Sequence, residues 1–342
     1  MDKFKDLFSK VKIRKFPDKN YHAIWNNLKT VRLGRGVAKE LDPDRSEFYD
    51  VGINTKCNAE CKFCYVGASS KGVDYEGICE TWNKWMKTFP EDKVIEGTHI
   101  INTEKPFQIA IGSTGEPTIS LQFCKFLQTV YESGVVPNYT TNGVILSYWD
   151  KPGSKYYSRA NEILSYTSLY CGGVAVSFGN KALRKYATSA IKGLLEKGRC
   201  KVNIHHIISD KQSVDEFFEI YNSYLIDNPN YCIDTTTDIN KFDDRKKVSL
   251  IHNHVLLPLM KHGRSDHGLD EGTWDYLESK LLEKTYDDVS FGAHFIDYLK
   301  NSEIKTWLYP AESLSKNIIL EKDCVKITPS SFDLNPIKII NL

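Results

Sequence analysis

Three cysteines crowd into one short segment, Cys57-Asn58-Ala59-Glu60-Cys61-Lys62-Phe63-Cys64, and their spacing points to metal chemistry. Thiolates are soft ligands suited to iron–sulfur clusters or zinc. A gap of three residues and then of two lets one loop set all three sulfurs around one face of a cubane. With three local ligands, a four-iron cluster would keep one iron open to a substrate or cofactor. The competing reading is a zinc site completed by a distant Cys or His. Structural zinc sites usually pair their cysteines in short knuckles, and a second such pair is missing. The other six of the nine cysteines are scattered. Cys79, Cys124, Cys171, Cys200 and Cys232 read as buried small hydrophobes, and Cys324 as a packed thiol.

Other polar residues fall where strands end. Ser113-Thr114-Gly115-Glu116-Pro117-Thr118 is a turn whose carbonyls and single carboxylate suit an ammonium. Ser177 points away from the apolar face of Val174-Ala175-Val176. Along Lys201–Ile208, the residues Val202, Ile204, His206 and Ile208 share one face, leaving Asn203, His205 and Ser209 on the other. His252 and His254 stand two apart, a pattern that reads as polar lining more readily than as a second metal site.

These residues sit on a recurring strand-then-helix pattern, the signature of a parallel sheet covered by helices. Strands are expected at Glu47–Asn54, Phe107–Ser113, Val136–Thr141, Gly173–Phe178, Lys201–Ile208 and Val248–Leu257. Helices are expected at Thr81–Thr88, Ser120–Glu132, Tyr157–Tyr166, Lys181–Lys197, Val214–Leu225 and Thr273–Lys284. Six such units make an α/β barrel, whole or partial, the natural expectation, with a doubly wound sheet as the alternative. Residues 1–46 read as an N-terminal extension, 47–287 as the core barrel, and 288–342 as a C-terminal extension closing it.

The segment Cys57-x-x-x-Cys61-x-Phe63-Cys64, directly after the first strand, resembles the signature of the radical S-adenosylmethionine (SAM) superfamily. The Gly115-Glu116-Pro117 turn is similar to the family's Gly-Gly-Glu-Pro turn, with Thr114 at the first glycine. Thr140-Thr141-Asn142-Gly143 and the Gly263-Arg264 pair resemble segments of its peptide-modifying branches. The resemblance implies a partial (β/α)6 barrel, with a [4Fe–4S] cluster on Cys57, Cys61 and Cys64. SAM would chelate the open iron and be split to a 5′-deoxyadenosyl radical that abstracts hydrogen from a substrate. It also implies Phe63 near the adenine, Gly115 and Glu116 at the methionyl amine, and Ser177 at the ribose or carboxylate. Asn203 and His205 would complete the pocket, and Arg264 would touch a carboxylate or substrate. Gly179 departs from the acidic residue common there. With a single cysteine, Cys324, beyond Cys232, the family's cysteine-dense auxiliary-cluster domain is not expected.

The formal net charge of +1 argues against a nucleic-acid partner. No apolar run reaches the roughly eighteen residues that cross a bilayer. The charged start Met1–Lys15 lacks the apolar centre of a secretory signal, so a cytoplasmic location without membrane contact is expected. An electron donor of the flavodoxin or ferredoxin kind is the implied partner. The substrate is a small molecule or nucleotide, or else a peptide. The rival function is a non-catalytic zinc- or iron–sulfur-binding regulatory module, which would need neither the Gly-Glu-Pro turn nor a polar barrel interior.

Overall fold

The computed structural model describes residues 48–342 apart from 96–97, 102–104, 199, 224–231, 235–246, 250, 284–285, 287–288, 300–301, 305–315 and 331–332; before residue 48 it describes three strands. Ten strands form the main sheet: β1 (Phe48–Gly52), β2 (Gln108–Ile111), β3 (Val136–Thr141), β4 (Gly173–Ser177), β5 (Lys201–Ile208), β6 (Ile251–Pro258), β7 (Val289–Phe291), β8 (Lys316–Glu321), β9 (Cys324–Thr328) and β10 (Lys338–Asn341). Their spatial order is β7-β6-β5-β4-β3-β2-β1-β8-β9-β10. Every pair from β7 through to β8 is parallel, and the last two are antiparallel.

Helices follow the first six strands in turn: α1 (Ile78–Met86), α2 (Phe123–Glu132), α3 (Tyr157–Tyr170), α4 (Arg184–Gly193), α5 (Lys211–Ser223) and α6 (Glu271–Leu282). Strand order therefore advances in one direction, without the reversal of a doubly wound sheet. This is the winding of a partial (β/α)6 barrel. Among the described residues β7 and β10 are not paired, so the sheet is open.

Alternation sorts each strand into two faces. On β5, Val202, Ile204, His206 and Ile208 are buried while Lys201, Asn203, His205 and Ile207 are half-buried. The outer face joins Tyr49, Val51, Ile109, Ile111, Val174 and Val176 to Trp82, Phe126, Leu164 and Ile191 of the helices. Full burial of each such side chain contributes about 1.5–3 kcal/mol, which fixes the register of the strands. On β5 the inner face carries the polar side chains of Asn203 and His205.

Three expectations shift. α5 begins at Lys211, not Val214, because Asp210 accepts the Ser213 N–H at 2.7 Å and starts the helix earlier. The sixth strand begins at Ile251, while Lys247–Ser249 pairs antiparallel with Cys232–Asp234. Strands Val11–Phe16, Tyr21–Trp25 and Thr30–Gly34 form a second sheet with Lys93–Ile95 and Thr98–Ile101, so the N-terminal stretch is tied to the α1–β2 connection. Beyond residue 287, β7 lies at one edge of the main sheet, and β8 to β10 add to the other beside β1. The charged stretch expected as a loop before the sixth strand lies, through residue 246, outside the described residues. Among the described residues, no helix is long and apolar enough to cross a membrane.

Candidate active site

The cysteines lie on the loop that leaves the C-terminal end of β1, all three half-buried free thiols. Backbone bonds shape the loop: Cys57 N–H donates to Ser69 O at 2.9 Å, Cys64 N–H to Cys61 O at 3.2 Å, and Gly67 N–H to Cys64 O at 3.3 Å. Glu60 takes a left-handed φ of 47°, and its carboxylate accepts the Ser70 hydroxyl at 3.0 Å.

A residue distant in sequence locks this loop. The Arg264 guanidinium donates to the carbonyls of Cys61 at 3.1 Å, Gly67 at 2.9 Å and Ala68 at 2.6 Å, and its backbone N–H donates to Cys64 O at 3.0 Å. Gly263 makes the approach feasible: at φ 64°, a Cβ there would lie 2.3 Å from Tyr65 O. The Gly-Arg pair thus braces the cysteine loop, whereas the sequence pointed Arg264 at a carboxylate or substrate.

Two side-chain amides reach the sulfurs. Asn180 Nδ2 donates to Cys61 Sγ at 3.3 Å, and Asn142 Nδ2 lies 3.9 Å from Cys57 Sγ while donating to Asn58 Oδ1 at 2.8 Å. Asn142 falls in the Thr-Asn-Gly segment singled out from sequence; Asn180 was missed, since nothing local marks it. Burial pushes the Cys57 thiol up to about 11 and raises Cys61 as well. Such thiols ligate only when a metal draws off their protons. Among the described residues, no three Cys, His, Asp or Glu side chains are gathered as a single ion requires. A cubane asks instead for thiolates spread over separate irons, and three soft donors on one loop with amide N–H groups at the sulfurs fit that demand.

The Gly-Glu-Pro turn is stitched to the same loop. Asn54 Nδ2 donates to Glu116 O at 3.0 Å, Glu116 N–H to Lys56 O at 2.8 Å, and Thr114 Oγ1 to Asn54 O at 2.6 Å. A Cβ on Gly115 would meet Asn54 Oδ1 at 2.4 Å, so glycine is required for the approach. The buried Glu116 carboxylate accepts from Thr118 N–H at 3.2 Å, Thr118 Oγ1 at 2.6 Å and Thr141 Oγ1 at 2.8 Å through Oε1, and from Asn142 N–H at 2.7 Å through Oε2. Burial raises its pKa against these four donors. Glu116 is therefore the anchor between the loops after β2 and β3.

Phe63 presses against Gly179: a Cβ at that glycine would lie 3.0 Å from Phe63 Cζ and 2.5 Å from Ile207 Cγ1. Ring and strand thus occupy the space that the acidic side chain common in the family would need here. Phe63 also walls a cleft at the ends of β4 and β5, shared with Arg184, Ser209 and Ser213. Ser177 pairs in register with His205, and Asn203 with Ala175. Burial lowers the His205 pKa to about 4, keeping it neutral. Ser113 Oγ and Asn203 Oδ1 are buried without partners among the described residues.

His254 does not line the barrel. It is fully buried on the outer face, 3.0 Å from His206 Nε2 through Nδ1, with the rings stacked at 18°. Phe217 and Tyr221 of α5 cover the pair. The His252 side chain lies outside the described residues. Cys79, Cys124, Cys171 and Cys200 are buried thiols, as expected of small hydrophobes; the side chain of Cys232 lies outside the described residues.

No family model matches the chain, and no curated protein does. Solved structures do. Streptococcus suis SuiB bound to its precursor peptide SuiA aligns over 84% of this chain with a TM-score of 0.52 at 12% identity. SuiB bound to S-adenosylmethionine aligns over the same share with a TM-score of 0.50 at 11% identity. SuiB is a radical SAM enzyme. This chain shares the fold of SuiB. The chain spans 60% of the length of SuiB.

Proposed function

We propose that the chain is a radical SAM enzyme whose [4Fe–4S] cluster is held by Cys57, Cys61 and Cys64. The carrying observation is the cysteine loop itself, fixed at the C-terminal mouth of a radical SAM barrel by Arg264 and bordered by Asn180 and Asn142 amides. A bound cluster would supply the single electron that cleaves the S–C5′ bond of SAM. The chain's residues do the rest. Gly115 and the carbonyls around it face the methionyl amine, with Glu116 Oε2 retaining accepting capacity beyond its one donor. Phe63 offers its ring to the adenine, Ser177 a hydroxyl to the ribose or carboxylate, and neutral His205 an uncharged wall. Asn203 lies one inward position deeper on β5.

A peptide substrate is the favoured reading. SuiB of the same fold binds a precursor peptide, and the unpartnered amide oxygens of Asn203 and Asn253 suit a chain of amides. A flavodoxin- or ferredoxin-like carrier would deliver the electron. The free thiols fit a reducing, cytoplasmic setting.

The test is spectroscopic. Protein purified without oxygen and reconstituted with iron and sulfide should, once reduced, give a paramagnetic cluster signal that changes on adding SAM. Zinc in place of iron, or a signal indifferent to SAM, would favour the non-catalytic module.

A further inference from the structure

β6 carries one extra residue where it passes Asn203. Val202 pairs with Ile251 but Asn203 pairs with Asn253, so His252 has no counterpart on β5. A bulge shifts a strand's alternation by one and re-aims a side chain, a device common beside active sites. Here it sets Asn253 beside Asn203 on the inner face, while His254 returns outward against His206.

Both asparagines keep a buried side-chain Oδ1 with no partner among the described residues. Asn253 is 9% exposed, and its NH₂ is committed to Ser290 Oγ on β7, which fixes its carbonyl. A buried acceptor left without a donor is costly, and two on adjacent strands double that cost. A ligand that supplies the donors relieves it.

We propose that Asn203 and Asn253 form the substrate subsite for an amide group, whose N–H donates to their Oδ1 atoms. The proposal rests on the radical SAM reading, which puts the substrate on the inner face of the barrel. It lies one inward position below His205, about 7 Å along the strand from that residue. The charge of the ligand follows from the surroundings. The burial that keeps neighbouring His205 neutral equally disfavours an ammonium, whereas a neutral amide enters without that cost. An amide also has a carbonyl to accept from the Asn203 NH₂, so its donor and acceptor both have counterparts.

Ligand-observed saturation-transfer NMR on the full chain tests this with propionamide, propylammonium and propionate. Propionamide alone should show transfer. Its affinity should fall about tenfold in Asn203→Leu, which breaks no existing hydrogen bond, and in Asn253→Leu. Circular dichroism verifies that each variant is folded, and Asn203→Leu suffices if the other is not. Preference for propylammonium, affinity unchanged in Asn203→Leu, or no transfer to folded wild type would overturn the proposal, the last meaning that water alone fills the pair. Probe binding needs neither iron nor reductant. A chain that binds propionamide yet forms no 5′-deoxyadenosine would overturn the radical reading, and the converse result would overturn the subsite.

Discussion

Arg264 and Gly179 illustrate what single residues do here. Three carbonyls of the cysteine loop depend on one guanidinium fork, a geometry that a lysine ammonium cannot reproduce. Arg264→Lys should leave the fold intact by circular dichroism yet lower iron retained after reconstitution to roughly half or less. Full iron content would show that the loop stands without its brace. Gly179→Ala should force Ile207 or Phe63 aside, costing about 1–3 kcal/mol by overpacking and weakening SAM binding severalfold. Calorimetry and equilibrium binding check the two effects, and unchanged values would mean that the Phe63 ring yields freely. Residues of both kinds were hard to read from sequence. The cysteines announce themselves by local spacing, but Arg264 meets them from about two hundred positions away, and Asn180 has no local pattern at all.

At the scale of elements, β5, β6 and α5 enclose a histidine pair away from solvent. His206 is held well below its ordinary pKa, first by burial and then by His254, His205 and Arg184. A histidine with a depressed folded pKa contributes its full stability above the unfolded value near 6.5 and loses it as the pH falls toward the folded one. For a shift such as that of His205, to about 4, the loss by pH 5 is about 2 kcal/mol. Urea unfolding should therefore show a marked fall in stability between about pH 7.5 and pH 5, reduced in His206→Phe. A flat profile would place these rings in contact with water. Alternation identified the outward face of β5 correctly, because a period of two is local. On β6 the bulge broke the parity from which His252 and His254 were set together, and only pairing with β5 reveals it. The helix start at Asp210 was legible in principle, since Asp with Ser three residues later is a capping pattern.

For the whole molecule, six strand-plus-helix units were legible because each carries its own hydrophobic period, whereas the sequence left the sheet between a barrel and a doubly wound order, which the strand pairing decides. Where the chain ends attach was not legible. The pairing of Val11–Phe16 with Thr98–Ile101, and of β8 with β1, joins segments far apart in sequence through backbone bonds that any residue can make. On the proposed reading the barrel is one device that binds and cleaves SAM. Its most direct test is to add SAM to the reconstituted, dithionite-reduced protein without oxygen and to quantify 5′-deoxyadenosine. The account predicts that the nucleoside forms with wild type and disappears when Cys57, Cys61 or Cys64 is replaced by alanine. Its absence from wild type that holds a full cluster and binds SAM, or its persistence in all three variants, would contradict the account.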